Sequence, residues 1–304
     1  MKKKREPASP LIGVVMARFI QYATHASLYD GEFGGTAGWP AAGMGDIIVT
    51  KDGRLIVVDG GHSADAEGLL ALLEKETDGT AGPTVALWVI THPHGDHTGA
   101  LRAISLDARL RERVEIQRIV WYFPQEFRDA RGVPGALASA DAEMREICAA
   151  CGAEPHTPAR GEEIAVDDVR LTFLYVPDDC SIYGPTGKNV NLCSLILSVA
   201  GETRRVLVTG DAFRPSLQIT AFRYGQALNC DALQMPHHAL CDSWCEDFYR
   251  LAAPTTVLLP ISRAGYRAMH STYAAEEGAR VNAAVESAAR EVFKAFEGNA
   301  ELKI

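Results

Sequence analysis

Three histidines and an aspartate fall within six positions of this 304-residue chain: His92, His94, Asp96 and His97, in the run Thr91-His92-Pro93-His94-Gly95-Asp96-His97. Nine histidines in 304 residues put three at such fixed offsets by chance in only about 0.01 of chains this long. A histidine packed in a core explains one such residue, not three with a carboxylate among them. Imidazoles with a carboxylate suit zinc, iron or manganese, and no thiolate metal is called for. His92 and His94 can converge on one ion, while Asp96 and His97, from the next turn, can serve a second.

Such a cluster needs a rigid platform. Residues 85–91 are an apolar run that reads as a strand buried on both faces. The cluster therefore follows a strand end, where Pro93 and Gly95 stop regular structure and where α/β folds carry functional groups. Three later positions repeat the pattern of a polar group after an apolar strand: Asp211 after 206–210, His237 and His238 after 233–236, and His270 beyond the strand at 257–261. Singly, each has an ordinary reading: Asp211 as a helix N-cap, the histidine pair as surface, His270 as a loop residue.

The elements around these points alternate. Residues 46–50 and 54–59 form a hairpin about Lys51-Asp52-Gly53. Helical spacing marks 65–76, 98–106, 138–150 and 216–227. Strands are expected at 114–123, 166–175, 191–199, 204–209, 231–235 and 257–262, and a C-terminal helix over 272–298 closes the chain. A basic tail, 1–10, precedes a first strand at 11–22; a secretion signal is disfavoured because Arg18 cuts the apolar run after seven residues. The natural packing is a single layered domain, 1–304, with mixed sheets inside and helices outside.

Composition narrows the function. An apolar fraction of 47% supplies a core, and no stretch approaches the roughly 20 apolar residues that span a bilayer. A net charge of −9 disfavours a nucleic-acid groove but leaves a small-molecule anionic substrate open, since a metal dominates its own site. Seven cysteines, an odd number, suggest reduced thiols and a cytoplasmic setting. Cys148 and Cys151, with Cys241 and Cys245, imitate a four-thiolate zinc site, but the first pair lies at i, i+3 on a helical pattern and reads as core.

Taken in order, these motifs resemble the metallo-β-lactamase superfamily across residues 43–262. His92-x-His94-x-Asp96-His97 matches its signature, Gly210-Asp211 resembles the later carboxylate that bridges two metals, and Asp59-Gly60-Gly61 is similar to the Asp-x-Gly turn that supports the site. The resemblance implies an αββα four-layer sandwich. It also implies one or two Zn2+ ions (Mn2+ or Fe being alternatives) on His92, His94, Asp96, His97, Asp211 and His238, and hydrolysis by a metal-activated water. A narrower likeness joins Gly45-Asp46, Asn191-x-x-Ser194 and Met235-Pro236-His237-His238-Ala239 to the hydrolase domain of bacterial DNA-uptake channel proteins and to phosphorylcholine esterases. It ranks a phosphoester first, then a carboxylic ester, lactone or thioester. The iron-based oxidoreductase branch and a non-catalytic metal-binding protein come after.

The resemblance also implies roles. Asp96 or Asp211 orients the nucleophile, His237 donates to the leaving group, and His270 binds an anionic group. Asp59, Asn191 and Ser194 support the site or touch substrate. Trp39 and Trp244 are candidate pocket walls, and the irregular loops 30–45, 124–134 and 178–189 are expected to set specificity. Two departures stand out. Ala239-Leu240 replaces the Gly-Ser of the narrower group, and no histidine occurs between His156 and Asp211, where many two-metal members carry one. Asn191 occupies that region, and His62 is a candidate substitute.

Overall fold

The computed structural model describes residues 16–34, 42–77, 82–128, 135–178 and 189–304. The basic tail, the start of the expected first strand, Trp39 and parts of the three specificity loops lie outside the described residues. The first half runs β1 (Arg18–Gln21), β2 (Gly45–Val49), β3 (Leu55–Asp59), α1 (Ala66–Glu76), β4 (Thr84–Val89), α2 (Gly95–Leu106), α3 (Ala108–Arg111), β5 (Glu115–Ile116), β6 (Arg118–Val120), α4 (Ala138–Cys151) and β7 (Glu154–His156). The second runs β8 (Glu163–Val166), β9 (Val169–Tyr175), β10 (Ile196–Ala200), β11 (Arg205–Val208), α5 (Arg214–Tyr224), β12 (Ala232–Gln234), α6 (Glu246–Ala252), β13 (Thr256–Leu259), α7 (Arg263–Met269), α8 (Glu277–Ala288), β14 (Glu291–Lys294) and β15 (Ala300–Lys303).

Side-chain alternation sorts these strands into layers. In the β2–β3 hairpin, Ile47, Val49, Leu55 and Val57 face α1, α2 and α4, while Ile48, Ile56 and Val58 face the other way. There they meet Phe173, Leu197 and Val208 of the second sheet. The outer face of that sheet packs on α5 and α6 through Leu207, Leu233, Leu217 and Phe248. The result is helices, sheet, sheet, helices: the expected four-layer sandwich.

One sheet has the order β15-β1-β2-β3-β4-β6-β7 with β5 also on β4; the other is β14-β13-β12-β11-β10-β9-β8. β3, β4 and β6 run parallel, as do β11, β12, β13 and β14. The C-terminal ends of β3 and β4, and of β11, β12 and β13, release Asp59, the His92–His97 turn, Asp211, His237-His238 and Pro260, which is where parallel sheets place chemistry.

Several sequence expectations are corrected. The C-terminal helix expected over 272–298 is only α8; Ala289 is extended (ψ 149°) and the chain continues as β14 and β15. Val292 and Phe293 pair with Val257 and Leu258, and Ala300 and Leu302 are buried where β15 joins β1; sheet pairing outweighs the helix propensity of an alanine-rich segment. The strand expected at 166–175 is present as β9, Val169–Tyr175, but it starts after a turn at Asp167 (φ 52°) that pairs it with a further strand, β8. Asn191 does not open a strand but sits in a 3-10 turn, Val190–Cys193, ahead of β10. Residues 114–123 break into β5 and β6, and the short strand β7 and helix α7 were not expected.

Candidate metal centre

The His92–His97 turn is fastened from below by Asp59. Its buried carboxylate accepts the Thr91 N–H and hydroxyl, each at 2.8 Å, and the His97 Nδ1 proton at 2.7 Å. Asp59 adopts φ 57°, and its carbonyl accepts the Trp88 indole N–H at 2.8 Å. His94 caps α2, placing Asp96 in the first helical turn, where the dipole favours a carboxylate.

From the second sheet, Gly210 takes φ 51°, and a Cβ there would lie 2.8 Å from the Thr91 side chain. Glycine is therefore required for the turn to press Asp211 against the histidines. Gln234 holds that turn: its Oε1 accepts the N–H groups of Thr209 and Gly210 at 3.1 and 3.2 Å. The next loop is strained. His237, His238 and Ala239 all have positive φ (46°, 53°, 58°), a conformation that costs about 1–3 kcal/mol per non-glycine residue unless its surroundings enforce it.

These supports gather two candidate ligand sets, groups that could each hold a metal ion: His92–His94–Asp211 and Asp96–His97–His238. His97 Nε2 lies 3.2 Å from Asp211 Oδ1, His238 Nε2 3.5 Å from that same oxygen, and His238 Nε2 3.3 Å from Asp96 Oδ2. His92 Nε2 is 3.5 Å from Asp211 Oδ2 and 3.0 Å from His94 Nδ1. The ring protons point outward: His97 Nδ1 to Asp59, His238 Nδ1 to the Pro260 carbonyl at 2.7 Å, and His92 Nδ1 to the Thr91 hydroxyl at 3.1 Å. Each ring thus turns its Nε2 inward, the arrangement by which outer partners fix a metal-binding tautomer.

The fit to a cation rests on what these inward atoms lack. His97 Nε2, His238 Nε2 and Asp211 Oδ1 are buried without a hydrogen-bond partner, a costly state that a divalent ion relieves. Electrostatics agree. Burial pushes the His97 imidazole down, but Asp211, Asp59 and Asp96 outweigh it and hold it well above its ordinary value. Burial opposes ionisation of Asp211 as well, yet His97, His238, His237 and His92 keep its carboxyl well below its usual range. Burial lowers His92 and His94, favouring neutral imidazoles.

The other expected residues are placed as follows. His237 stays outside both sets; its Nδ1 donates to Asp242 at 2.7 Å, its Nε2 lies 3.7 Å from Asp211, and Phe213 packs edge-on against it. Asp211 and Asp242 raise His237 above its ordinary value against the opposing effect of burial. Asn191 and Ser194 are buried with Asn191 Oδ1 and Ser194 Oγ unpartnered, on a segment whose Leu195 N–H bonds the Thr91 carbonyl at 3.1 Å. His270 is not brought to the ligand sets: it stacks on Tyr266 and meets Glu286 of α8 at 3.2 Å. His62 belongs to neither set; its N–H donates to Asp65 Oδ2 at 2.8 Å and its carbonyl accepts the Asp65 N–H at 2.9 Å at the start of a helical turn. Trp244 lies under the Arg214 guanidinium, 4.2 Å away, as packing. No cysteine joins a ligand set among the described residues. Sequence reasoning missed Gln234 and Asp242. A glutamine inside the apolar run 231–235 was a signal for the first; the exposed Asp242 carried none.

The family model of the metallo-beta-lactamase superfamily matches residues 46–260. The chain belongs to the metallo-beta-lactamase superfamily. No curated protein matches the sequence. Among solved structures, this superfamily member is similar to Zn(2+)-bound PqqB from Methylobacterium extorquens (13% identity, 95% of this chain and 100% of that one, TM-score 0.55). It is also similar to CmlA, a diiron beta-hydroxylase from Streptomyces venezuelae (13% identity, 94% of this chain, TM-score 0.51), of which it spans 54%. At these identities the likeness is one of fold. No described helix is long and apolar enough to cross a membrane.

Proposed function

We propose that this protein is a metal-dependent hydrolase acting on a small-molecule phosphoester. The observation that carries the metal reading is the pair of facing ligand sets with three inward atoms that have no partner. His92, His94 and Asp211 would hold one ion and Asp96, His97 and His238 the other, with Asp211 facing both. Divalent ions there supply Lewis acidity and lower the pKa of a water toward neutrality. Zinc suits the imidazole and carboxylate donors, and the zinc of PqqB and the two irons of CmlA support a divalent metal in this architecture.

The chain's own residues favour a substrate with an anionic oxygen. His237, raised above its ordinary value and backed by Asp242, presents a proton beside Asp211 for a leaving group or phosphate oxygen. Asp96 and Asp211, held ionised, accept hydrogen bonds from the attacking water and orient it. Asn191 and Ser194 offer unused polar atoms on the segment that the Leu195 N–H ties to the Thr91 carbonyl. The motifs Gly45-Asp46, Asn191-x-x-Ser194 and Pro236-His237-His238 support the likeness to phosphoester-cleaving members. All six described cysteines are free thiols, which supports a cytoplasmic setting.

The test is a hydrolysis screen of phosphomonoesters, phosphodiesters, lactones and thioesters with protein loaded with zinc, manganese or iron. We expect turnover of a phosphoester that His94→Ala abolishes along with most bound metal. Turnover confined to lactones or thioesters overturns the substrate class. Uptake of less than about 0.2 equivalents of any of these metals overturns the site itself.

A further inference from the structure

The strained loop that carries His238 is held by something outside the site. The amide of Asn282, buried on α8, donates toward three carbonyls at once: Ala239 at 3.2 Å, Leu240 at 3.1 Å and Ser243 at 3.3 Å. Carbonyls only accept, so the amide nitrogen must face them. The opposite end is fixed accordingly, because the buried Tyr249 hydroxyl on α6 donates to Asn282 Oδ1 at 2.9 Å. Gly278, one helical turn earlier, lets α8 approach this closely: a Cβ there would lie 1.9 Å from the Cys241 carbonyl. On its other side the loop is tied to Asp211's neighbour, since the Ser243 hydroxyl donates to the Ala212 carbonyl at 2.5 Å.

We infer that Asn282, oriented by Tyr249, is the positioning residue that pins the far side of the 237–243 loop, so that residues 237–239 keep their left-handed conformation and His238 Nε2 stays aimed at Asp96 and Asp211. Three consecutive non-glycine residues at positive φ relax unless the chain around them is fixed. The His237 N–H to the Gly210 carbonyl and His238 Nδ1 to the Pro260 carbonyl hold the start of the loop, while the bonds that hold residues 239–243 from the outside end on α8, the helix immediately before β14. Loss of the amide takes a donor from three buried carbonyls, of which Leu240's keeps the Ser243 N–H at 3.3 Å, and the loop compensates the other two by moving. His238 then loses its place relative to His97, while His92 and His94, fastened through Thr91 and Asp59, keep theirs.

This inference rests on the metal reading only for its effect on zinc, so the experiment includes a metal-free arm. Hydrogen exchange is measured on the metal-free full chain for residues 237–243 and 92–98 in wild type, Asn282→Ala and Tyr249→Phe, the last deleting only a hydroxyl. Asn282→Ala should quicken exchange at Leu240 and Ser243 about tenfold, leave 92–98 unchanged, and weaken one zinc equivalent about 10–100-fold, as loss of an outer partner does. Tyr249→Phe should shift the same amides about threefold in the same direction, and it decides the matter if Asn282→Ala does not fold. Unchanged exchange at 237–243, equal acceleration at 92–98, or a quickened loop with both zinc equivalents at wild-type affinity overturns the inference. If wild type binds no zinc, the metal reading falls while the exchange comparison still decides whether the amide holds the loop.

Discussion

The two halves of the site are built by different means. The His92–His97 turn is compact in sequence, its anchor Asp59 lies on the strand beside β4, and its backbone is relaxed apart from that anchor. The half made of Asp211 and His238 is dispersed. It needs a glycine pressed against Thr91, a glutamine amide under Gly210, three strained residues, and a helix that begins at Glu277. A local turn can be rigid through its own strand and a single carboxylate. A ligand on a strained loop must borrow rigidity from distant elements.

Asp211 is where the halves meet, so its loss should break the comparison most completely. We expect Asp211→Asn to weaken both zinc equivalents by more than the roughly 10–100-fold typical of an outer partner, with Asn191→Ala costing less; metal titration against a chromophoric chelator measures both. The reverse order would give Asn191 the role assigned to Asp211. Asp59→Asn comes next. It keeps the shape but spoils one of three accepted bonds, so thermal unfolding of metal-free protein should show about 1–3 kcal/mol of destabilisation, with zinc weakened chiefly at the set containing His97. An equal loss at the His92–His94 set would mean that the two ligand sets are not independent.

The smallest effect concerns protons. His97 is held above its ordinary value by Asp211, Asp59 and Asp96 against burial, and ligation needs it neutral. Zinc affinity should therefore rise with pH until the raised value is passed, by at most about tenfold per pH unit for one proton. Calorimetry in buffers of different ionisation heat should show proton release on binding. Proton uptake, or affinity flat between pH 6 and 8, would contradict the charge state assigned to the metal-free site.

The sequence made the local half legible because everything that defines it lies close together. His92, His94, Asp96 and His97 share one turn, and the β-branched run that ends at Asp59 marks β3. The placement of Asp211 and His238 followed from strand ends, but their supports did not. Nothing near Asn282 marks it as a contact of residues 239–243, and the positive φ values of His237, His238 and Ala239 occur at residue types that carry no turn signature. His270 looked comparable to His238 in sequence, yet it lies at the end of α7 and pairs with α8. The C-terminal segment misled for a physical reason: its alanines favour a helix, and only β13 and β1 make strands of Glu291–Lys294 and Ala300–Lys303.

Those last two strands bear on how the molecule is made. β14 completes one sheet against β13, and β15 crosses to the other to pair with β1, where Phe19 lies opposite Leu302 and the Ile304 N–H bonds the Ala17 carbonyl at 2.9 Å. During synthesis, β1 must wait with an open edge until almost all of the described chain has left the ribosome. An unpaired edge of that kind invites association with other chains, and closing a loop of such length is slow. The assembly step most exposed to misfolding is therefore the docking of a four-residue strand far from the chemistry, after both ligand sets have already been synthesised.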